Sequence, residues 1–242
     1  MDSPLLATTT PALSPHAHDS SPPECCSADF DAYAERVLST ILRDYVGRRD
    51  FALYADGGGV MDELTVPFPS YSAEHASNSS YPPEIALQDD MRVGKCWFIP
   101  SQRAQLAIVL PRMVYPTHVT VDHIPLVITA DIGEAPRNMR LWGMIDGLLN
   151  RARHINLSSS YELPSADGRH TPPLAGDRSY VLLSEFQYDI NALSPIQTFH
   201  VDLHIIDSRM YFGVVVLEIV DNWGSNTTCL YRVRVHGDPK EP

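Results

Sequence analysis

The chain has 242 residues and a mass of 26.9 kDa, with 44% hydrophobic and 20% charged residues, which suits one globular domain plus extensions. Lys and Arg total 18 against 30 Asp and Glu, so the formal charge is −12, the wrong sign for a nonspecific nucleic-acid or anionic-membrane binder. No apolar run approaches the roughly 20 residues that cross a bilayer; the best, Phe212–Val220, is interrupted by Glu218 and has the length of a strand.

No Lys or Arg precedes Arg36 and no compact apolar stretch lies before it, so no secretory leader is expected and the chain reads as soluble. Residues 1–29 are rich in Pro, Ser and Thr and are expected to be disordered, with the adjacent Cys25 and Cys26 idle inside them. From Asp31 to Val46 the apolar residues fall in pairs, Tyr33/Ala34, Val37/Leu38, Ile41/Leu42 and Tyr45/Val46. That spacing predicts one apolar helical face, stopped at Gly47. The helix is too short for a self-sufficient coiled coil, so it either packs on its own domain or ends a longer oligomerising helix.

After Asp50 the period changes to two. Leu106–Leu110 is a short buried run, while 119–124 (Val-Thr-Val-Asp-His-Ile) and Phe199–Ile205 alternate. Val214–Val220 is β-branched and nearly continuous. Leu230–His236 places Tyr231, Val233 and Val235 on one face and Arg232, Arg234 and His236 on the other. Met144–Ser179 is polar and turn-rich and predicts a long loop. Short strands broken by Pro, Gly and Asn argue for an all-β sandwich of the galactose-binding, discoidin-like jelly-roll type, with a short N-terminal helix. The expected division is 1–29 extension, 30–47 helix and 48–240 sandwich domain.

Gly57-Gly58-Gly59 has neither a G-x-G-x-x-G pattern nor a Walker lysine, and no G-x-S-x-G elbow occurs. His200 and His204 have helical metal spacing, but on a strand they would lie about 13 Å apart, too far for one ion. No nucleophile–base spacing suggests an enzyme. Sequons at Asn78, Asn156 and Asn226 point toward a secretory compartment.

Seven collinear pieces carry more. They are 50–53 (Asp-Phe-Ala-Leu) with the glycine triplet, 94–98 (Gly-Lys-Cys-Trp-Phe), 116–125 (Pro-Thr-His-Val-Thr-Val-Asp-His-Ile-Pro), Ala135-Pro136-Arg137, 197–200 (Gln-Thr-Phe-His), Asn222-Trp223-Gly224 and 228–237 (Thr-Cys-Leu-Tyr-Arg-Val-Arg-Val-His-Gly). In this order they resemble a SUN domain, from about Asp31 to Pro239. The resemblance implies a β-sandwich, trimeric in animal members, in the perinuclear space of the nuclear envelope. There it would bind the C-terminal tail of a KASH protein and form a nucleus–cytoskeleton bridge, with no turnover, no nucleic acid, and a membrane link only through a segment outside this sequence.

The same resemblance implies a disulfide between Cys96 and Cys229, closing a long loop and so worth several kcal/mol. It implies a potassium-like ion held by backbone carbonyls of Ile85, Gln88, Asp90, Lys95 and Tyr231, and a peptide pocket with His123 and Tyr231 as donors. Three departures stand out. Glu134 replaces a serine that contacts the tail carboxylate and should repel it. Thr227 replaces a tyrosine. The lid, expected over 65–81, is shortened and lacks the cysteine that cross-links the partner. A lectin-like or adhesion sandwich without KASH binding is the alternative.

Overall fold

The computed structural model describes residues 46–68, 81–161 and 165–241. Its contacts separate 1–47 from a unit spanning Arg48–Pro242. The 1–29 extension, nearly all of the helix expected over Asp31–Val46, and most of the shortened lid lie outside the described residues.

The larger unit is built on one long strand. The strands are β1 (Gly59–Val60), β2 (Val66–Phe68), β3 (Trp97–Ile99), β4 (Arg103–Asp122), β5 (Asn138–Met144), β6 (Tyr180–Gln187), β7 (Ile196–His200), β8 (Phe212–Ile219), β9 (Thr228–Leu230) and β10 (Arg232–Pro239). The first half of β4 pairs antiparallel with β8, Leu106 opposite Leu217, and β8 leads on through β5 to β6. Its other edge takes β1 and β2. The second half lies between β10 and β7, with Val119 opposite both Val235 and Phe199. The chain forms the β-sandwich that its alternating pattern predicts.

The runs Leu106–Leu110 and 119–124, which read as separate strands, are joined into β4. Two prolines lie between them, and both sit where the ladder is interrupted. Pro111 falls in the register shift between Val109 and Val114. Pro116 faces Gly237 at the shift in β10, and a Cβ on Gly237 would stand 2.1 Å from the Tyr115 carbonyl oxygen. Prolines and glycines are tolerated in strands at such irregularities. Leu106, Ile108, Met139, Leu141, Leu183, Leu217, Val233 and Val235 are fully buried in the core between the layers.

Two expectations are corrected. Met144–Ser179 is not all loop: Leu148–Ser160 forms helix α1. Its apolar residues hide the helix from a periodicity search, because Leu148, Leu149 and Ile155 are exposed. The helix is tied instead by Asn150, whose side chain bonds both the carbonyl and the amide of Tyr211. The alternation over Phe199–Ile205 is also not one strand. β7 ends at His200, and Leu203–Ser208 is a short helix, α2, capped by the Asp202 carboxylate on the His204 amide at 2.8 Å.

The polar side of β10 is as buried as its apolar side. Arg232 pairs with Asp50 at 2.9 Å, Arg234 pairs with Asp122, and His236 sits between Thr120 and the Arg49 carbonyl. A second buried network surrounds Glu218, which accepts from Trp142 Nε1 at 2.9 Å and pairs with Arg169 at 2.5 Å.

Candidate functional site

A cavity of about 290 Å³ opens beside the β3–β9 pair. His123 enters it from the end of β4, Tyr231 from the junction of β9 and β10, and Glu134 from a single 3-10 turn, Ile132–Glu134. Tyr81, Val93 and Phe98 supply apolar wall, and Cys96 and Cys229 form its floor. Those cysteines are disulfide-bonded, 133 residues apart in sequence with Cα atoms 5.5 Å apart. The bridge fixes the approach to β3 against β9, where Phe98 lies opposite Cys229. Tyr231 therefore packs with Cys96, Ile124 and Cys229 at the cavity and not with Val233 in the main core.

The polar atoms are held in definite roles. The Tyr231 hydroxyl accepts from the Gly94 amide at 3.0 Å, so its own proton remains to be donated. Burial raises the Tyr231 pKa; the Gly94 bond opposes this and the nearby Glu134 charge adds to it. His123 Nδ1 lies 2.9 Å from the Ile124 carbonyl oxygen, which can only accept, so Nδ1 carries the proton. Burial keeps the ring neutral by lowering its pKa. In this tautomer a neutral His123 presents Nε2 as an acceptor. Nε2 is buried and has no partner among the described residues. The rings of His123 and Tyr231 meet edge-on at 4.9 Å.

Thr227, expected as a pocket residue, is not among the residues lining the cavity; its hydroxyl donates to Glu134 Oε1 at 2.7 Å. The loop carrying Thr227 is organised by Asn222, which is 6% exposed. Its amide donates to the carbonyls of Ser225 and Thr227 and to Thr228 Oγ1. Sequence reasoning marked Asn222-Trp223-Gly224 as a motif without giving Asn222 this work.

Residues 76–162 and 173–239 match the family described as Sad1 / UNC-like C-terminal. The chain belongs to that family. It is 29% identical over 217 residues to SUN domain-containing protein 3 of Bos taurus, a match covering 85% of this chain and 51% of that protein. With SUN domain-containing protein 1 of Homo sapiens it shares 28% over 225 residues, covering 86% and 24% respectively. The chain spans about half the length of the first relative and a quarter of the second. A solved fragment from Bacteroides thetaiotaomicron shares the fold at TM-score 0.50 and 11% identity, covering 81% of this chain and 95% of the fragment.

In this Sad1/UNC-like domain the segment expected to hold a cation borders the cavity. The Ile85 carbonyl accepts from the Gln88 amide. Among the described residues no hydrogen bond is made by the carbonyls of Gln88, Asp90 or Lys95. Open carbonyl oxygens such as those of Gln88, Asp90 and Lys95 are the kind of donor a monovalent cation takes, whereas the Ile85 carbonyl is already occupied. The Asp90 side chain is committed elsewhere. It pairs with Arg92 at 2.5 Å and Lys95 at 2.8 Å, and hydrogen bonds from Arg92 first and then Lys95 hold its carboxyl far below the usual carboxylate range. Lys95 also lies over the Tyr81 ring at 5.3 Å, at the cavity edge.

Proposed function

We propose that the domain is a binding module that captures the C-terminal segment of a KASH-type protein of the outer nuclear membrane, facing the perinuclear lumen, and so joins nucleus to cytoskeleton. The observation that carries this reading is the convergence of His123, Glu134 and Tyr231 with the Cys96–Cys229 bridge on one cavity. Its apolar walls and few fixed polar groups suit an extended peptide end. A potassium-like ion on the carbonyls of Ile85, Gln88, Asp90, Lys95 and Tyr231 would supply local positive charge and brace the wall that carries Gly94. In the full-length context the module would act as a homotrimer, which multiplies weak single contacts.

The test is recovery of partners from a nuclear-envelope extract with the purified chain, followed by binding of each recovered protein with and without its last residues. Capture should need that tail and should be weakened by His123→Ala and by Tyr231→Phe. Capture indifferent to both variants and to loss of the tail would overturn the reading.

A further inference from the structure

We infer that the peptide group seated between Glu134 and His123 is a hydrogen-bond donor bearing positive charge, a lysine or arginine side chain near the partner's C-terminus. The inference rests on the peptide-capture reading above and names what that site selects.

The lining is rich in acceptors. It includes the carboxylates of Asp131 and Glu134 and neither Lys nor Arg. Asp131 Oδ1 is occupied by the Gly133 amide at 2.8 Å. Glu134 uses Oε1 for Thr227 and has no partner for Oε2 among the described residues. His123 is 3% exposed, yet its Nε2 lone pair has no partner among the described residues. The tautomer set by Ile124 keeps that nitrogen an acceptor. Beside these acceptors, the open side-chain donors among the described lining residues are the hydroxyls of Tyr231 and, at the rim, Tyr81.

A carboxylate placed here would face Glu134 with like charge and find neutral hydroxyls but no cation in the lining. An ammonium or guanidinium carries several N–H donors and no acceptor, which complements a carboxylate oxygen and an imidazole lone pair together. The cations Arg92 and Lys95 share the single carboxylate of Asp90. Lys95, over Tyr81 at the edge, is where a terminal carboxylate finds positive charge without meeting Glu134.

The experiment displays a library of free-acid decapeptides, random over the last positions, to the whole 242-residue chain. Affinities of the enriched peptides are then measured by fluorescence anisotropy. Enrichment of Lys or Arg at one fixed distance from the C-terminus is expected. Replacing that Lys by norleucine should weaken binding about tenfold, the scale of a charged hydrogen bond. Glu134→Gln should shrink the gap between the two peptides to about twofold, with thermal melting showing that the variant folds. Enriched peptides with only acidic or apolar side chains, bound equally or more tightly by Glu134→Gln, would overturn the donor assignment and leave peptide capture standing. Enrichment no different on the His123→Ala/Tyr231→Phe double variant would overturn peptide capture itself, and this inference with it.

Discussion

The Thr227 hydroxyl donates to Glu134 Oε1 across 2.7 Å, tying the loop before β9 to the turn Ile132–Glu134. One carboxylate oxygen is thereby fixed and the other left for a ligand. Thr227→Val keeps the side-chain shape and removes the bond. Affinity for a lysine-bearing peptide is expected to fall on the order of fivefold, the weight of one such hydrogen bond. Thr227→Ser should restore it. Equal anisotropy titrations for Val and Thr would show that Glu134 needs no holding.

Tyr231 and Gly94 are 137 residues apart and meet at 3.0 Å. Tyr231→Phe removes the acceptor for the Gly94 amide and the donor that faces the cavity. A stability loss of about 1 kcal/mol is expected. Hydrogen exchange should report faster exchange at Gly94, with the Val233 and Val235 amides in β10 unchanged. Uniform acceleration across the domain would mean that the hydroxyl supports the fold and not the loop.

Why the layers were legible and the site less so follows from range. Val233 and Val235 alternate with Arg232, Arg234 and His236, and a two-residue period is a local signal. The β4 strand was read in two pieces because Pro111 and Pro116 look like breaks, and only the partner registers show the irregularities that absorb them. Helix α1 had little apolar stripe to find, since Leu148, Leu149 and Ile155 are exposed and it is held by Asn150 and by Leu157 packed against the core. His123, Glu134 and Tyr231 came from resemblance to a family. Their bonding roles depend on Ile124, Thr227 and Gly94, and no spacing rule predicts an imidazole tautomer.

The Cys96–Cys229 bridge closes a long loop, its ends 133 positions apart in sequence. Constraining the unfolded chain over that length is worth about 5 kcal/mol in the loop-entropy model. Reduction should therefore lower the thermal midpoint substantially, and Cys96→Ser should match the reduced parent. Non-reducing peptide mapping of protein made in an oxidising lumen should recover the 96–229 pair. Free thiols at both positions, or a midpoint unmoved by reductant, would contradict this.

Glu218 interrupts an apolar run in the sequence, yet it is 3% exposed and its partners Arg140, Trp142 and Arg169 are distant in the chain. Glu218→Leu would leave Trp142 Nε1 without its acceptor and remove the buried counter-charge facing Arg169. Because Arg169 is partly exposed and both arginines keep Asp167, the loss should fall below that of a fully buried pair, at about 2 kcal/mol. Denaturant unfolding should show a loss of that size. A change under about 1 kcal/mol would mean that Asp167 and Glu185, which also bind Arg140, compensate fully.

The same networks set the response to acid. The His118 and His200 rings lie 4.4 Å apart, tilted by 49°. Burial, then the charges of Arg48, His200 and His236, lower its pKa to about 4. Burial also lowers His123, His236 and His154. Each has an ordinary value of 6.5 once unfolded. Below that pH the unfolded chain binds more protons than the folded one, so stability falls as pH falls. For His118 the loss begins near pH 6.5 and levels off near 4, where the folded ring also protonates. Asp122, whose carboxyl burial raises despite Arg234, opposes the trend in the lower part of that window. The lowered carboxyls of Asp90 and Asp167 add losses only below their ordinary value of 3.8. The thermal midpoint should therefore decline from about pH 6.5 toward pH 5, and His118→Gln should flatten the decline by removing one titrating group. An unchanged slope in that variant would assign the acid sensitivity to the other buried histidines.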